Sequence, residues 1–227
     1  MKKILITVIS VFAFSMVAAQ AIEVNKAAGV SFSMTTVDTN LKDDIDNNGT
    51  NTTDKNISND VTIPSLFGEV SIGGDRGFIS IGVDYIFMEA ELDARSTTQS
   101  SLKSSSDGAA SSGTNSGNVE VSDHTTFYIR PTIMLNDTTM IFGTFGSVSA
   151  DAETKLVSIS STNKTISQTI DGDKIGFGIR KMRGSGFVQL ELAEVDYDPI
   201  TATTSNNTKI TADIDTELIT LSFGKSF

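Results

Sequence analysis

Eight segments of the chain alternate apolar residues with small or polar residues at a period of two. This period is typical of β-strands whose two faces meet different surroundings. The most regular segment covers residues 79–87, where Ile79, Ile81 and Val83 share one face. The predicted strands cover residues 30–35, 66–72, 79–87, 127–133, 140–148, 175–180, 188–193 and 219–227.

The connections between these segments alternate in length. Short turn sequences at residues 73–76, 136–137 and 183–185 separate strand pairs. The other connections are polar segments rich in Ser, Thr, Asn and Asp, and we expect them to be long loops of linker-like composition. They cover about residues 38–61, 93–123, 151–173 and 198–213. Short turns alternating with long loops are typical of transmembrane barrels, so the sequence predicts an all-β, eight-stranded antiparallel up-and-down β-barrel.

Five charged residues fall on the polar faces of the predicted strands. An eight-stranded barrel has an interior just wide enough for side chains to fill, and arginine can pair with carboxylates in bidentate geometry. We therefore expect an interior ladder of charges. Period-two alternation alone also permits a soluble barrel in which these residues face water. The five residues are Glu69, Asp84, Arg130, Arg180 and Glu191.

The amino-terminal segment has the order of a secretory signal peptide. Lys2 and Lys3 precede an uncharged apolar run that ends near Val17, and small residues follow before Ile22. The run is too short for a membrane-spanning helix. We therefore divide the chain into a signal peptide, residues 1–21, and a barrel domain, residues 22–227.

Composition excludes some classes of function. The formal net charge of −11 argues against nucleic-acid binding, which needs a clustered cationic surface. The absence of cysteine excludes disulfides and thiolate metal ligands.

The last predicted strand ends in an apolar face that closes on a terminal phenylalanine. Its members are Ile219, Leu221, Phe223 and Phe227. In this feature and in its strand pattern, the chain resembles the small outer-membrane barrels of the OmpA-transmembrane-domain, OmpX and opacity-like type. The resemblance implies that these four residues form the signal read by the barrel-assembly machinery, although Lys225 departs from the usual pattern. It also implies a monomer in the outer membrane of a Gram-negative-type bacterium, in contact with lipid and lipopolysaccharide.

The resemblance does not fix an activity, because such barrels include passive structural proteins, adhesins and a few enzymes. We expect a structural or surface-contact role, with no enzymatic activity, no cofactor and no metal. A narrow diffusion channel and an adhesin or immune-evasion protein are the alternatives. Ser122 and His124 form a candidate hydrolase pair, and a solvated histidine at the edge of a loop is the alternative. Residues 44–49 resemble the start of a calcium loop, but Lys55 stands where a bidentate Glu is expected.

Overall fold

The computed structural model describes residues 23–44, 52–103, 110–157, 164–203 and 209–227. The predicted signal peptide, residues 1–21, lies outside these ranges and stays a prediction. No helix in the described ranges is long and apolar enough to cross a membrane. The described residues form ten β-strands, β1 (Glu23–Asp44), β2 (Thr52–Gly74), β3 (Gly77–Tyr85), β4 (Ala90–Lys103), β5 (Ala110–Asn136), β6 (Thr139–Val157), β7 (Lys164–Arg183), β8 (Gly186–Tyr197), β9 (Ile200–Thr203) and β10 (Lys209–Ser226).

Eight of these strands close into a ring. The order of hydrogen-bonded neighbours is β1-β2-β3-β5-β6-β7-β8-β10, and β10 pairs with β1. Every pairing is antiparallel. β4 pairs with β5 after β3 has ended, and β9 pairs with β10 after β8 has ended, so these two strands extend the ring. The predicted eight-stranded antiparallel up-and-down barrel is confirmed.

One end of the barrel carries the tight turns and both ends of the described chain. Turns occur at residues 75–76, 137–138 and 184–185, as the sequence predicts. The Phe227 amide donates to the Lys26 carbonyl at 2.8 Å, and the Ser226 amide donates to the Ser185 carbonyl at 2.8 Å. These bonds join the first and last strands beside the third turn.

The prediction of long loops at the opposite end is wrong over most of their length. β1 continues to Asp44, β2 begins at Thr52, and the Ser-rich residues 111–115 belong to β5. Polar residues occur in these strand extensions because the outer face of the extensions meets water. Apolar residues such as Val37 still occupy inward positions, so apolar and polar residues alternate along the strand. Residues 45–51, 104–109, 158–163 and 204–208 lie outside the described ranges.

An apolar band covers the outside of the barrel between its two ends. Phe127 and Phe177 are each 65% exposed, whereas inward neighbours such as Ser80 and Thr144 are fully buried. This apolar-out, polar-in alternation is the pattern of a barrel whose outer face meets lipid. The band includes Phe32, Met34, Leu66, Ile81, Phe127, Ile175, Phe177, Leu192, Ile219, Leu221 and Phe223.

A row of carboxylates marks the upper edge of the band, on the side away from the tight turns. Asp38, Asp215, Asp196 and Asp173 lie directly opposite one another on four neighbouring strands, and all are exposed. Like charges in this position destabilise a sheet unless water and salt screen them. The row therefore places water just above the level of Leu192.

The polarity of the barrel reverses above this edge. Inward side chains there are apolar and buried, including Val37, Val148, Val195 and Ile214. A second apolar cluster, Ala150, Ala152 and Ile170, lies at the same end. Because water replaces lipid outside, the upper barrel buries its apolar face inward, as a soluble barrel does.

Candidate functional site

A buried ion-pair network crosses the lumen within the apolar band. Arg130 on β5 lies 3.0 Å from Glu69 on β2 and 3.0 Å from Glu191 on β8. Arg180 on β7 lies 2.6 Å from the second carboxylate oxygen of Glu69. All four side chains are at most 5% exposed. The network therefore joins four strands, including strands such as β2 and β5 that are not neighbours in the ring and share no backbone hydrogen bonds.

Neutral side chains bind the remaining donors of the two arginines. Gln189 Oε1 accepts hydrogen bonds from Arg180 Nε at 3.0 Å and Arg180 Nη2 at 2.8 Å. Arg130 Nε donates to Thr144 at 3.2 Å, and the Tyr128 hydroxyl donates to Glu69 at 3.2 Å. Buried charges are tolerated when they are both paired and hydrogen-bonded, and this network meets that requirement.

The charges facing the lumen balance. The sequence predicts two cations and three carboxylates, and the structure adds Lys174, whose Nζ lies 3.4 Å from Glu191 Oε1. Asp84 stands apart from the ion pairs and accepts a hydrogen bond from Ser65 at 3.0 Å. Lys174 lies an even number of residues from Arg180 on β7, so both side chains point into the barrel. The predicted strand begins one residue later, at Ile175. Sequence analysis therefore misses it.

Aromatic rings fill the lumen around the network. Arg130 stacks on Tyr128 and Phe142 at 4.5 and 4.6 Å from the ring centroids, and Arg180 stacks on Phe187 at 4.2 Å. Phe187 also packs against Phe67, with centroids 6.1 Å apart. These cation–π contacts add to the ion pairs in a desolvated site.

Glycines on neighbouring strands make room for these rings. A Cβ atom at Gly82 would overlap the Tyr128 ring, and a Cβ atom at Gly224 would overlap the Phe187 ring. The interior is therefore packed by alternating small and large residues on adjacent strands, as small barrels require.

A cavity of about 110 Å³ lies above the network. Arg130, Gln189 and Glu191 form part of its floor, and Met88 lines it while remaining 53% exposed. The cavity is therefore closed toward the tight turns and reaches the surface at the opposite end.

His124 lies above the band and points into the barrel, in step with the buried Thr126 and Tyr128, and a β-bulge immediately precedes it. Asp123 adopts a left-handed conformation with φ of 50°, and the β5–β6 register shifts between Ser122 and Thr125. His124 Nε2 lies 2.8 Å from the Tyr197 hydroxyl. Burial, with a smaller contribution from the charge of Lys174, lowers the pKa of His124 to about 4. The imidazole is therefore neutral near pH 7.

The same bulge separates the candidate hydrolase pair. Ser122 lies opposite the exposed Asp151, whereas the preceding Val121 packs against the inward apolar cluster at the upper end. Ser122 therefore faces outward and His124 inward. Ser122 and His124 are two residues apart, so regular alternation would place them on the same face of the strand. The extra residue at Asp123 shifts the alternation by one position and places them on opposite faces.

The residues of the predicted assembly signal lie on the outer face of β10 and at the end of the chain. Ile219, Leu221 and Phe223 face outward in the band, and Phe227 follows at its lower end, 73% exposed. Lys225 lies beside them, with its Nζ 5.3 Å from the Phe227 centroid. Residues 45–49 of the possible calcium loop lie outside the described ranges. Within those ranges, no group of three or more metal-ligating side chains lies close enough to hold an ion.

Comparisons with known proteins give structural likeness without sequence relatives. No protein-family model matches the chain, and no curated protein matches it. The attachment invasion locus protein Ail of Yersinia pestis is similar at 13% identity and a TM-score of 0.38, covering 89% of this chain and 99% of its own. The outer-membrane protease OmpT of Escherichia coli is similar at 9% identity and 0.49, covering 92% and 99%. Neisserial surface protein A is similar at 7% identity and 0.35, covering 86% and 97%.

The geometry defines the class of protein. A closed antiparallel ring leaves no sheet edge within the apolar band, and its polar groups face a filled lumen. Only helices and closed barrels satisfy their backbone hydrogen bonds inside a bilayer. The molecule is a small transmembrane β-barrel with a ring of eight strands.

Removal of Arg130 should destabilise the barrel strongly. In an Arg130→Ala variant, Glu69 and Glu191 lose a partner while remaining buried, so we expect the free energy of unfolding to fall by roughly 3–5 kcal/mol. The measurement is urea-induced unfolding in lipid vesicles. Arg183→Ala, at an exposed position beside the third tight turn, is the control and should change little. Equal unfolding midpoints for the two variants would contradict a stabilising network.

Protonation of His124 should destabilise the barrel in acid. Because the folded-state pKa is about 4 and the usual value is 6.5, the unfolded chain binds more protons between these values. Stability is therefore complete above about pH 6.5 and declines toward pH 4, by roughly 3 kcal/mol for this group. Unfolding of the wild type and of His124→Gln, compared at about pH 7.5 and pH 4.5, measures the effect. The wild type should lose more stability than the variant; parallel losses would refute the assignment.

Proposed function

We propose that this protein is a non-conducting outer-membrane barrel with a structural and surface-contact role. The observation that carries the proposal is the closed lumen. The ion pairs of Arg130 and Arg180 cross the interior, and the Phe67–Phe187 pair packs beside them toward the tight turns. A diffusion channel needs a continuous wet path, and these two layers of packed side chains oppose one.

The extensions above the band support a role in surface contact. β5 continues from the level of Thr126 to Ala110, roughly 50 Å along the strand at the usual rise per residue. β1, β2, β6 and β7 also continue beyond the carboxylate row. Paired strands hold a larger and more regular surface away from the membrane than flexible loops would. This surface is where a partner outside the cell would meet the protein.

We propose that the protein is not an enzyme and that it acts as a monomer. The separation of Ser122 and His124 onto opposite faces removes the candidate hydrolase pair. The ring closes through β1 and β10 of one chain, so no second copy is needed to complete it.

We propose that the partners of this protein are the lipids and the assembly machinery of the outer membrane. The apolar band would meet outer-membrane lipid, and the surface above it would meet the headgroups of lipopolysaccharide. The outward face of Ile219, Leu221 and Phe223 would be read by the barrel-assembly machinery during insertion. Residues 1–21 would serve as a cleaved signal peptide for export before that step.

Ion and solute flux tests the closed lumen. Purified barrel is inserted into lipid vesicles, and folded insertion is checked by flotation with the vesicles and by heat-dependent gel mobility. We expect no release of trapped small sugars and no unitary conductance steps in a planar bilayer, because the network and the aromatic layer exclude water. Reproducible unitary steps from folded protein would instead support the diffusion-channel alternative.

A further inference from the structure

We propose that the cavity above the ion-pair network is a binding site for a small neutral molecule that is mostly apolar and carries one hydroxyl or carbonyl group. This site is separate from the structural and surface-contact role. The proposal rests on the walls of the cavity, its charge balance, its unpaired polar atoms and its size.

The upper walls of the cavity are apolar. Their side chains belong to inward positions of the strands and include Val37, Ile63, Ile86, Ile170, Val195, Ile214 and Leu218. Polar positions lie lower, near the network. A molecule with an apolar body and a single polar group fits such a division, because its body removes apolar wall surface from contact with water.

The charges that face the lumen sum to zero. Arg130, Arg180 and Lys174 balance Glu69, Glu191 and Asp84, and the imidazole of His124 is neutral. Asp84, which lines the cavity, is in none of the ion pairs and accepts a hydrogen bond from Ser65. Because the formal charges already sum to zero, a charged ligand would leave a net charge in a partly desolvated space, at a large cost in solvation. The balance favours a neutral ligand.

Three buried polar atoms at the cavity have no hydrogen-bond partner among the described residues. Glu191 Oε1 is paired by charge with Lys174 at 3.4 Å. The two without an ion pair are Thr35 Oγ1, on a residue that is only 5% exposed, and His124 Nδ1. An unpaired buried donor or acceptor is costly, so a ligand group that pairs with one of them gains more than it would in water. A hydroxyl group can donate or accept and so suits either atom.

The size of the cavity sets the scale of the ligand. Its volume of about 110 Å³ is of the same order as an apolar cavity of about 150 Å³ that binds benzene in another protein. Because the network closes the floor and Met88 reaches the surface, a ligand would enter and leave from the upper end.

Methyl NMR of the barrel in lipid nanodiscs tests the proposal, with phenol as the probe and valine and isoleucine methyl groups labelled. We expect saturable shifts at inward Val37, Val195 and Ile214. Methyl groups of outward Val30 and Val188 should respond only to partitioning into lipid, without saturation. Benzene, which lacks the hydroxyl, should bind roughly two- to tenfold more weakly, the range of one neutral hydrogen bond. Benzoate should not compete.

Matched variants locate the site. Val195→Phe should fill the cavity and abolish saturable phenol binding, whereas Val188→Phe, outward on the same strand, should retain it. If Val195→Phe does not fold, Val37→Phe and its outward control Val30→Phe make the same comparison on β1. Binding that survives both cavity-filling variants, or an absence of saturable shifts in the wild type, would overturn the proposal. Equal affinity for benzene, or tighter binding of benzoate, would overturn the ligand class.

Discussion

The structure depends on the burial of four paired charges inside a barrel that is surrounded by lipid. Arg130 bridges Glu69 and Glu191, and Arg180 holds the other oxygen of Glu69. Burial of any one of these groups alone would cost several kcal/mol, so the network is stable only when it is complete. This requirement joins strands that are not neighbours in the ring. It closes the lumen and also forms the floor of the cavity above it.

Much of the fold could be predicted because the bilayer imposes period-two alternation on each strand that crosses it. The eight predicted strands and three short turns reflect this constraint. The strand extensions could not be found in the same way, because water replaces lipid above the Asp196 level and the polar residues move to the outer face. Outward polar positions there look like loop sequence. Inward apolar residues such as Val37 and Ile214 are what indicates a strand in these extensions. They are too widely spaced among polar neighbours for the period of two to be recognised.

Less of the candidate site could be predicted. Parity places Glu69, Arg130, Arg180 and Glu191 on polar faces, but which of them meet depends on the stagger of strands around the ring, and parity does not encode stagger. The cavity is likewise a product of several strands. The bulge at Asp123 turns Ser122 away from the face of His124 through a left-handed backbone conformation that Asp tolerates without requiring it.

The reversal of polarity along one strand is the most direct test of this account, and β10 is suited to it because the chain contains no cysteine. Single cysteines at positions 214–223 would carry a spin label in lipid vesicles. Accessibility to oxygen, which concentrates in lipid, should be high at 219, 221 and 223 and low between them. Outward position 215, which lies beyond 217 toward the upper end of the barrel, should respond instead to a water-soluble nickel reagent. Outward positions 219–223 that respond to nickel and not to oxygen would contradict a barrel embedded in lipid.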